Sequence, residues 1–172
     1  MVCAQLHPSS KAGRANYASQ PSVRVVIIPL KERVTRSARL ERLVYESTAT
    51  GSTGSLTNLA TILAESQRNN DRDGLTGILA AHRDRYIQVI EGTSSTLDSL
   101  LRRLQKDPRH RALKIISREP IETRRFDGWS MASARITPAQ ATALDRVIDQ
   151  EAPTPDRIVD LLGEALDTAP VN

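Results

Sequence analysis

The sequence predicts an α+β fold: a mixed sheet in the order β-α-β-β-α-β-β, two helices on one face, and two further C-terminal helices. Three observations carry this reading. The run Tyr86-Ile87-Gln88-Val89-Ile90-Glu91-Gly92 is rich in β-branched and aromatic residues and reads as a strand buried on both faces. Two amphipathic stretches repeat at the helical period, one through Leu56, Leu59, Ile62, Leu63 and Ser66, the other through Leu97, Leu100, Leu101 and Leu104. Turn chemistry at residues 70–74 and 82–85 separates helix from strand and strand from strand. Two strand–helix–strand halves in this order are the ferredoxin-like topology, in which the first and third strands lie side by side at the centre.

Each element has a local reason. Residues 1–39 mix Ser, Ala, Arg and Pro without a sustained period and read as a disordered basic extension, with 23–30 as a short extended piece. A transit peptide, or sequence outside the native product, are the other readings of this start. Residues 43–45 form a first strand, followed by a Ser/Thr/Gly loop over 47–54. Ser55 or a neighbour caps a helix running to about Asn69. Residues 75–81 and 86–91 pair as a hairpin. Thr93 or Ser94 caps the second helix, which ends before Pro108. Residues 113–117 make a fourth strand and 129–134 a fifth. Thr137-Pro138 and Thr154-Pro155 each place a capping residue before a proline suited to the first helical position. The two helices that follow carry apolar stripes, Leu144, Val147 and Ile148 on one and Ile158, Leu161, Leu162 and Ala165 on the other. Their expected role is to cover an exposed sheet face.

Charge is unevenly distributed along the 172 residues. Seven basic residues and one acid give residues 1–39 a charge of +6, while two basic residues and seven acids give 136–172 a charge of −5. The middle, 40–135, holds fifteen and twelve, or +3, so the pI of 9.6 does not describe a cationic folded domain. A nucleic-acid-binding role is therefore not expected. Cys3 is the single cysteine, which excludes an internal disulfide framework and fits a reducing, cytoplasmic setting. No stretch has the apolar length of a membrane span, so no membrane partner is expected.

Gln88 is the residue out of place. A primary amide in a strand buried on both faces needs partners for its donors and acceptor, and leaving them unpaired costs about 1–3 kcal/mol. Alternation puts Tyr45 on one face of the first strand and Gln88 on one face of the third, a shared face provided both point at the helices, while Trp129 and Met131 share a face of the last. A phenol, an amide, an indole and a thioether would then converge near the helices, a wall for a planar ligand with polar edges.

These residues belong to a larger ordered set: Tyr45 with Ser47, Ser66 and Asn70 near the helix end, and Leu75-Thr76-Gly77 opening the second strand. Gln88 with Glu91-Gly92, Asp107 with Arg109-His110, and Arg125-Phe126 ahead of Trp129 and Met131 complete it. In this set the chain resembles the BLUF domain, a blue-light sensor that uses flavin, over residues 40–135. The resemblance implies a non-covalently held flavin, usually FAD, with FMN and riboflavin as open alternatives. It implies Tyr45 as the electron and proton donor and Gln88 as an amide that rearranges its hydrogen bonds. Ser66, Asn69, Asn70, Arg109 and His110 would contact the flavin, Arg109 and His110 on its ribityl and phosphate side. Trp129 and Met131 would relay the change to the last strand. No metal is implied. With no enzymatic output expected, the signal would leave through an unidentified downstream protein or a change in a homo-oligomer. The rival readings are a light-independent ferredoxin-like binding or dimerisation module and an acylphosphatase-like hydrolase. The hydrolase would need an anion-binding loop, for which only Gly51–Gly54 is a candidate.

Overall fold

The computed structural model describes residues 39–167. The readings made for residues 1–38, including the disordered extension, the extended piece at 23–30 and the setting of Cys3, lie outside the described residues. Five strands, β1 (Leu40–Ala49), β2 (Thr76–His82), β3 (Arg85–Thr93), β4 (His110–Pro120) and β5 (Ala132–Ser133), form one sheet in the order β4-β1-β3-β2-β5. Only the β2–β5 pair is parallel; the other neighbours run antiparallel. This is the expected α+β, ferredoxin-like mixed sheet, with β1 and β3 at its centre.

Helices α1 (Leu56–Asp73) and α2 (Ser94–Leu104) pack on one face. Helices α3 (Pro138–Ile148) and α4 (Pro155–Asp167) pack on the other. The front core joins Leu43, Leu79, Ile90 and Leu97, and the back core joins Val44, Ile78, Ile87 and Val89 to Leu144, Ile158 and Leu162. Neighbouring residues of one strand thus fall in opposite cores, as the two-residue period of a strand requires. The back face would otherwise be bare hydrocarbon, which is why the C-terminal stripes are apolar.

Local capping follows the sequence. Ser55 accepts from the Asn58 backbone N–H at the start of α1, and Thr93 accepts from Thr96 at the start of α2. Thr137 and Gln140 form a reciprocal capping box ahead of α3, with Pro138 in the first turn. Strands β1 and β4 are longer than the expected 43–45 and 113–117, and β1 takes in residues 47–49, expected to open the loop. Two further boundaries differ from expectation. Helix α1 runs past Asn70 to Asp73 and stops at Gly74, whose left-handed φ of 64° ends the helix. Asn70 is therefore a buried side chain of the last helical turns and not turn chemistry. Strand β5 is only two residues long, so residues 129–131 lie outside any strand. Leu56, counted on the apolar stripe, is 83% exposed because it opens the helix beyond the edge of the sheet.

Leu162 is fully buried in the back core. Leu162→Ala is expected to lower unfolding stability by about 2–5 kcal/mol, whereas Leu56→Ala should stay within about 0.5 kcal/mol. Urea denaturation of the two variants separates these outcomes.

Candidate functional site

The register of the central strands sets Tyr45 directly opposite Gln88. Both side chains face α1 and α2 and wall a cavity of about 460 Å³. Helix α1 presents Ile62, Glu65, Ser66, Asn69 and Asn70 to it, a spacing that marks one helical face. Helix α2 contributes Leu100, Arg103 and Leu104, and β3 adds Tyr86 and Ile90. Residues 106–110 form the rim where the chain leaves α2 for β4, and Met131 closes the wall from the β4–β5 connection. The cavity is of ligand size, apolar in its broad walls and polar at a few positions.

Tyr45 is buried, and its Oη donates a hydrogen bond to Gln88 Oε1. Burial pushes the phenol well above its ordinary range, and the Asp107 carboxylate acts in the same direction. The proton therefore stays on Tyr45. The Gln88 side chain is buried on the cavity wall. Its amide oxygen is satisfied by the Tyr45 phenol.

The rim is held by ion pairs. Asp107 accepts from the Arg109 backbone N–H at 2.9 Å and from its guanidinium at 2.5–3.0 Å. Arg109 Nη1 also reaches Glu65 on α1 at 2.6 Å. Hydrogen bonding to Arg109 holds the Asp107 carboxyl below the usual aspartate range, and the same bonds raise Arg109. Arg109 thus ties the rim to α1 while lining the cavity. His110 sits beside it with Nδ1 buried and without a hydrogen-bond partner. Burial lowers its pKa below the ordinary histidine value and keeps the imidazole neutral at pH 7.

The sequence-predicted site residues are mostly brought together. Tyr45, Ser66, Asn69, Asn70, Gln88, Arg109, His110 and Met131 all line the cavity. Trp129 does not: it is 52% exposed, whereas Met131 is 3% exposed. The expected sharing of one strand face fails because residues 129–131 are held by other bonds. Gly77 N donates to the Trp129 carbonyl at 2.9 Å. Asn70 Nδ2 donates to the Ser130 carbonyl at 2.6 Å, and Gln67 Nε2 to the Met131 carbonyl at 3.0 Å. The Gly51–Gly54 loop lies outside the lining of this cavity.

Sequence reasoning missed Glu65, Tyr86, Arg103 and Lys106. Glu65 was accessible, since it shares the helical face of Ile62 and Ser66, and Tyr86 shares the strand face of Gln88. Arg103 and Lys106 carry no comparable signal, because a basic residue at a helix end is ordinarily a solvated one.

Comparison with known proteins gives one family. The chain matches BLUF, described as sensors of blue-light using FAD, over residues 40–132. The dark-state structure of the BLUF protein BlrB superposes with a TM-score of 0.64 at 32% identity, covering 76% of this chain and 98% of that one. A bacterial light-regulated adenylyl cyclase superposes with a TM-score of 0.57 at 26% identity, covering 77% of this chain and 42% of that one. Photoactivated adenylate cyclase subunit alpha of Euglena gracilis is 29% identical over 116 residues, which are 67% of this chain and 11% of the relative. The chain therefore spans a small part of the cyclase subunits it matches.

The lowered His110 pKa fixes a sign. The folded chain binds this proton less readily than the unfolded chain, so stability falls as pH drops below about 6.5, where the unfolded imidazole begins to charge. The loss is complete once pH has passed below the folded value. His110→Gln is expected to flatten urea-derived stability below about pH 6.5 relative to the parent protein.

Proposed function

Because this chain belongs to the BLUF family, we propose that it is a blue-light photoreceptor in which Tyr45 and Gln88 convert light absorption into a changed hydrogen-bond pattern. The observation that carries the reading is the Tyr45 phenol donating to the Gln88 amide on the wall of a ligand-sized cavity. The residues fit a flavin. Ile62, Ile90, Leu100, Leu104 and Met131 offer apolar surface to the faces of a planar ring, and Asn69, Asn70 and Gln88 offer amides to its polar edge. The unpartnered Nδ1 of His110 is a buried polar atom in want of a hydrogen-bond partner, which a polyhydroxyl chain would supply. FAD is the proposed form, with Arg109 and His110 toward its ribityl and phosphate side and Lys106 as a further rim cation.

When bound, a flavin supplies absorption of blue light and a ring able to take up an electron and a proton. The residues around it supply the switch. Tyr45 holds its proton at Oη, because burial opposes the phenolate. Gln88 takes that hydrogen bond at Oε1 and lines the cavity. An amide is nearly symmetric in shape, so exchanging its two ends inverts the donor and acceptor pattern with little change in volume. A carboxylate at this position would instead face a desolvation penalty in changing its charge. Met131 abuts the same wall and Trp129 lies two residues before it, so a reoriented amide has a direct route to the β4–β5 connection.

The proposed output is altered contact with a downstream protein or within a homo-oligomer, through the last strand and the acidic extension 136–172. No enzymatic step is assigned to the chain itself. Among the described residues no helix is long and apolar enough to cross a membrane, and no His, Cys, Asp and Glu cluster offers a metal site. A flavin-free dimerisation module is the second reading, and the buried Tyr45–Gln88 pair on the wall of a ligand-sized cavity argues against it.

The test is an absorption spectrum of the purified protein in the dark and directly after blue light. A flavin spectrum with a small, reversible red shift is expected. Tyr45→Phe and Gln88→Leu should each retain flavin and lose the shift. Protein that stays colourless after flavin is added would favour the dimerisation module.

A further inference from the structure

The chain between β4 and β5 crosses from one core to the other. Phe126 is buried in the back core among α3 and α4, and Met131 is buried in the front core beside the cavity. Only Ala132 and Ser133 of this region join the sheet, so ladder bonds do not fix where residues 129–131 sit. Just upstream, a buried carboxylate holds the chain at residues 125 and 126. Glu91, at the end of β3, is 0% exposed. Its Oε2 accepts from the backbone N–H groups of Arg125 at 2.9 Å and Phe126 at 3.1 Å. Its Oε1 accepts from Arg42 on β1 at 2.8 Å.

The connection answers in kind. Arg124 donates to the Glu91 carbonyl at 2.7 Å and to Thr76 Oγ1 at 2.8 Å. It also donates to the Gly74 carbonyl, at the end of α1, at 2.9 Å. Glu91 and the segment 124–126 thus form a clasp, side chain to backbone in both directions. It sits five residues before Met131 and fixes the point from which the chain turns into the cavity.

We propose that Glu91 is a positioning residue whose clasp on residues 124–126 seats Met131, and keeps Trp129 out, on the wall beside Gln88. An indole has more apolar surface to bury than a thioether chain, so hydrophobic burial by itself would favour Trp129 in that place. The clasp, with the Gly77 bond to the Trp129 carbonyl, sets the chain against that preference. An isosteric amide cannot replace Glu91. It offers one acceptor oxygen, so its NH₂ must face either the Arg42 guanidinium or the two backbone N–H groups.

This inference concerns the seating of two side chains and holds whether or not a flavin is bound. Trp129 is the only tryptophan in the chain, so its fluorescence reports this seat directly. Glu91→Gln and Arg124→Lys would be compared with the parent protein in the dark, at matched flavin content, by acrylamide quenching and emission maximum. Circular dichroism would establish that each variant folds. The expected result is a quenching constant reduced by roughly half with a blue-shifted emission, as the indole moves from a half-exposed to a buried place. Arg124→Lys keeps the charge and weakens the clasp from its other side, so it decides the matter should Glu91→Gln fail to fold. Unchanged or increased quenching in a folded variant overturns the proposal. The readout does not depend on photochemistry, so a missing red shift in the parent would count against the photoreceptor reading and leave this one standing.

Discussion

Pairing of β1 with β3 is the constraint from which the rest of the site follows. The two strands are central, buried on both faces and antiparallel, and their register sets Tyr45 across from Gln88. A slip by one residue would turn every side chain of the slipped strand to the opposite core. Were β3 the strand to slip, Val89 of the back core would meet α1 and α2, while the Gln88 amide faced α3 and α4. Such a slip would strand polar groups in hydrocarbon and is strongly disfavoured. The hydrophobic core and the polar pair thus specify one another.

The same sheet separates two kinds of environment. Its back face is closed by α3 and α4 over aliphatic side chains and small residues such as Ala80 and Ala165. On the front, α1 and α2 leave a cavity, and the helical face that should be apolar carries Glu65, Ser66, Asn69 and Asn70 instead. A polar stripe facing a core is costly unless something partners it. Part of that partnering is internal: Asn70 holds the Ser130 carbonyl and Glu65 holds Arg109. Across the cavity, Nδ1 of His110 is buried without a partner. Incomplete satisfaction of this kind marks a ligand site more clearly than any one residue type.

Electrostatics divides the site in two. Around Tyr45 and Gln88 the groups are neutral, and burial keeps them so. At the rim the charges of Arg109, Asp107 and Glu65 are paired at short distance and brace the entrance. Fixed charges outside and a reorientable dipole inside suit a switch that changes hydrogen bonds without moving net charge through a low-dielectric core.

The sequence by itself determined the element order, the helix caps, the two buried strands and the faces on which Tyr45 and Gln88 could meet. These depend on periodicity and local chemistry, which are written residue by residue. It also determined the family, through residues in order from Tyr45 to Met131. The tertiary structure decided what depends on contacts distant in the chain. Asn70 became a buried helical side chain because α1 could run on to Gly74. Glu65 and Arg109, forty-four residues apart, met across the rim. Trp129 and Met131 parted, although alternation had placed them together. Strand alternation holds only where a ladder of hydrogen bonds enforces it, and residues 129–131 are held instead by side-chain amides of α1, the backbone of β2 and, upstream, the clasp of Glu91. Such bonds have no period, and only the folded chain brings their partners together.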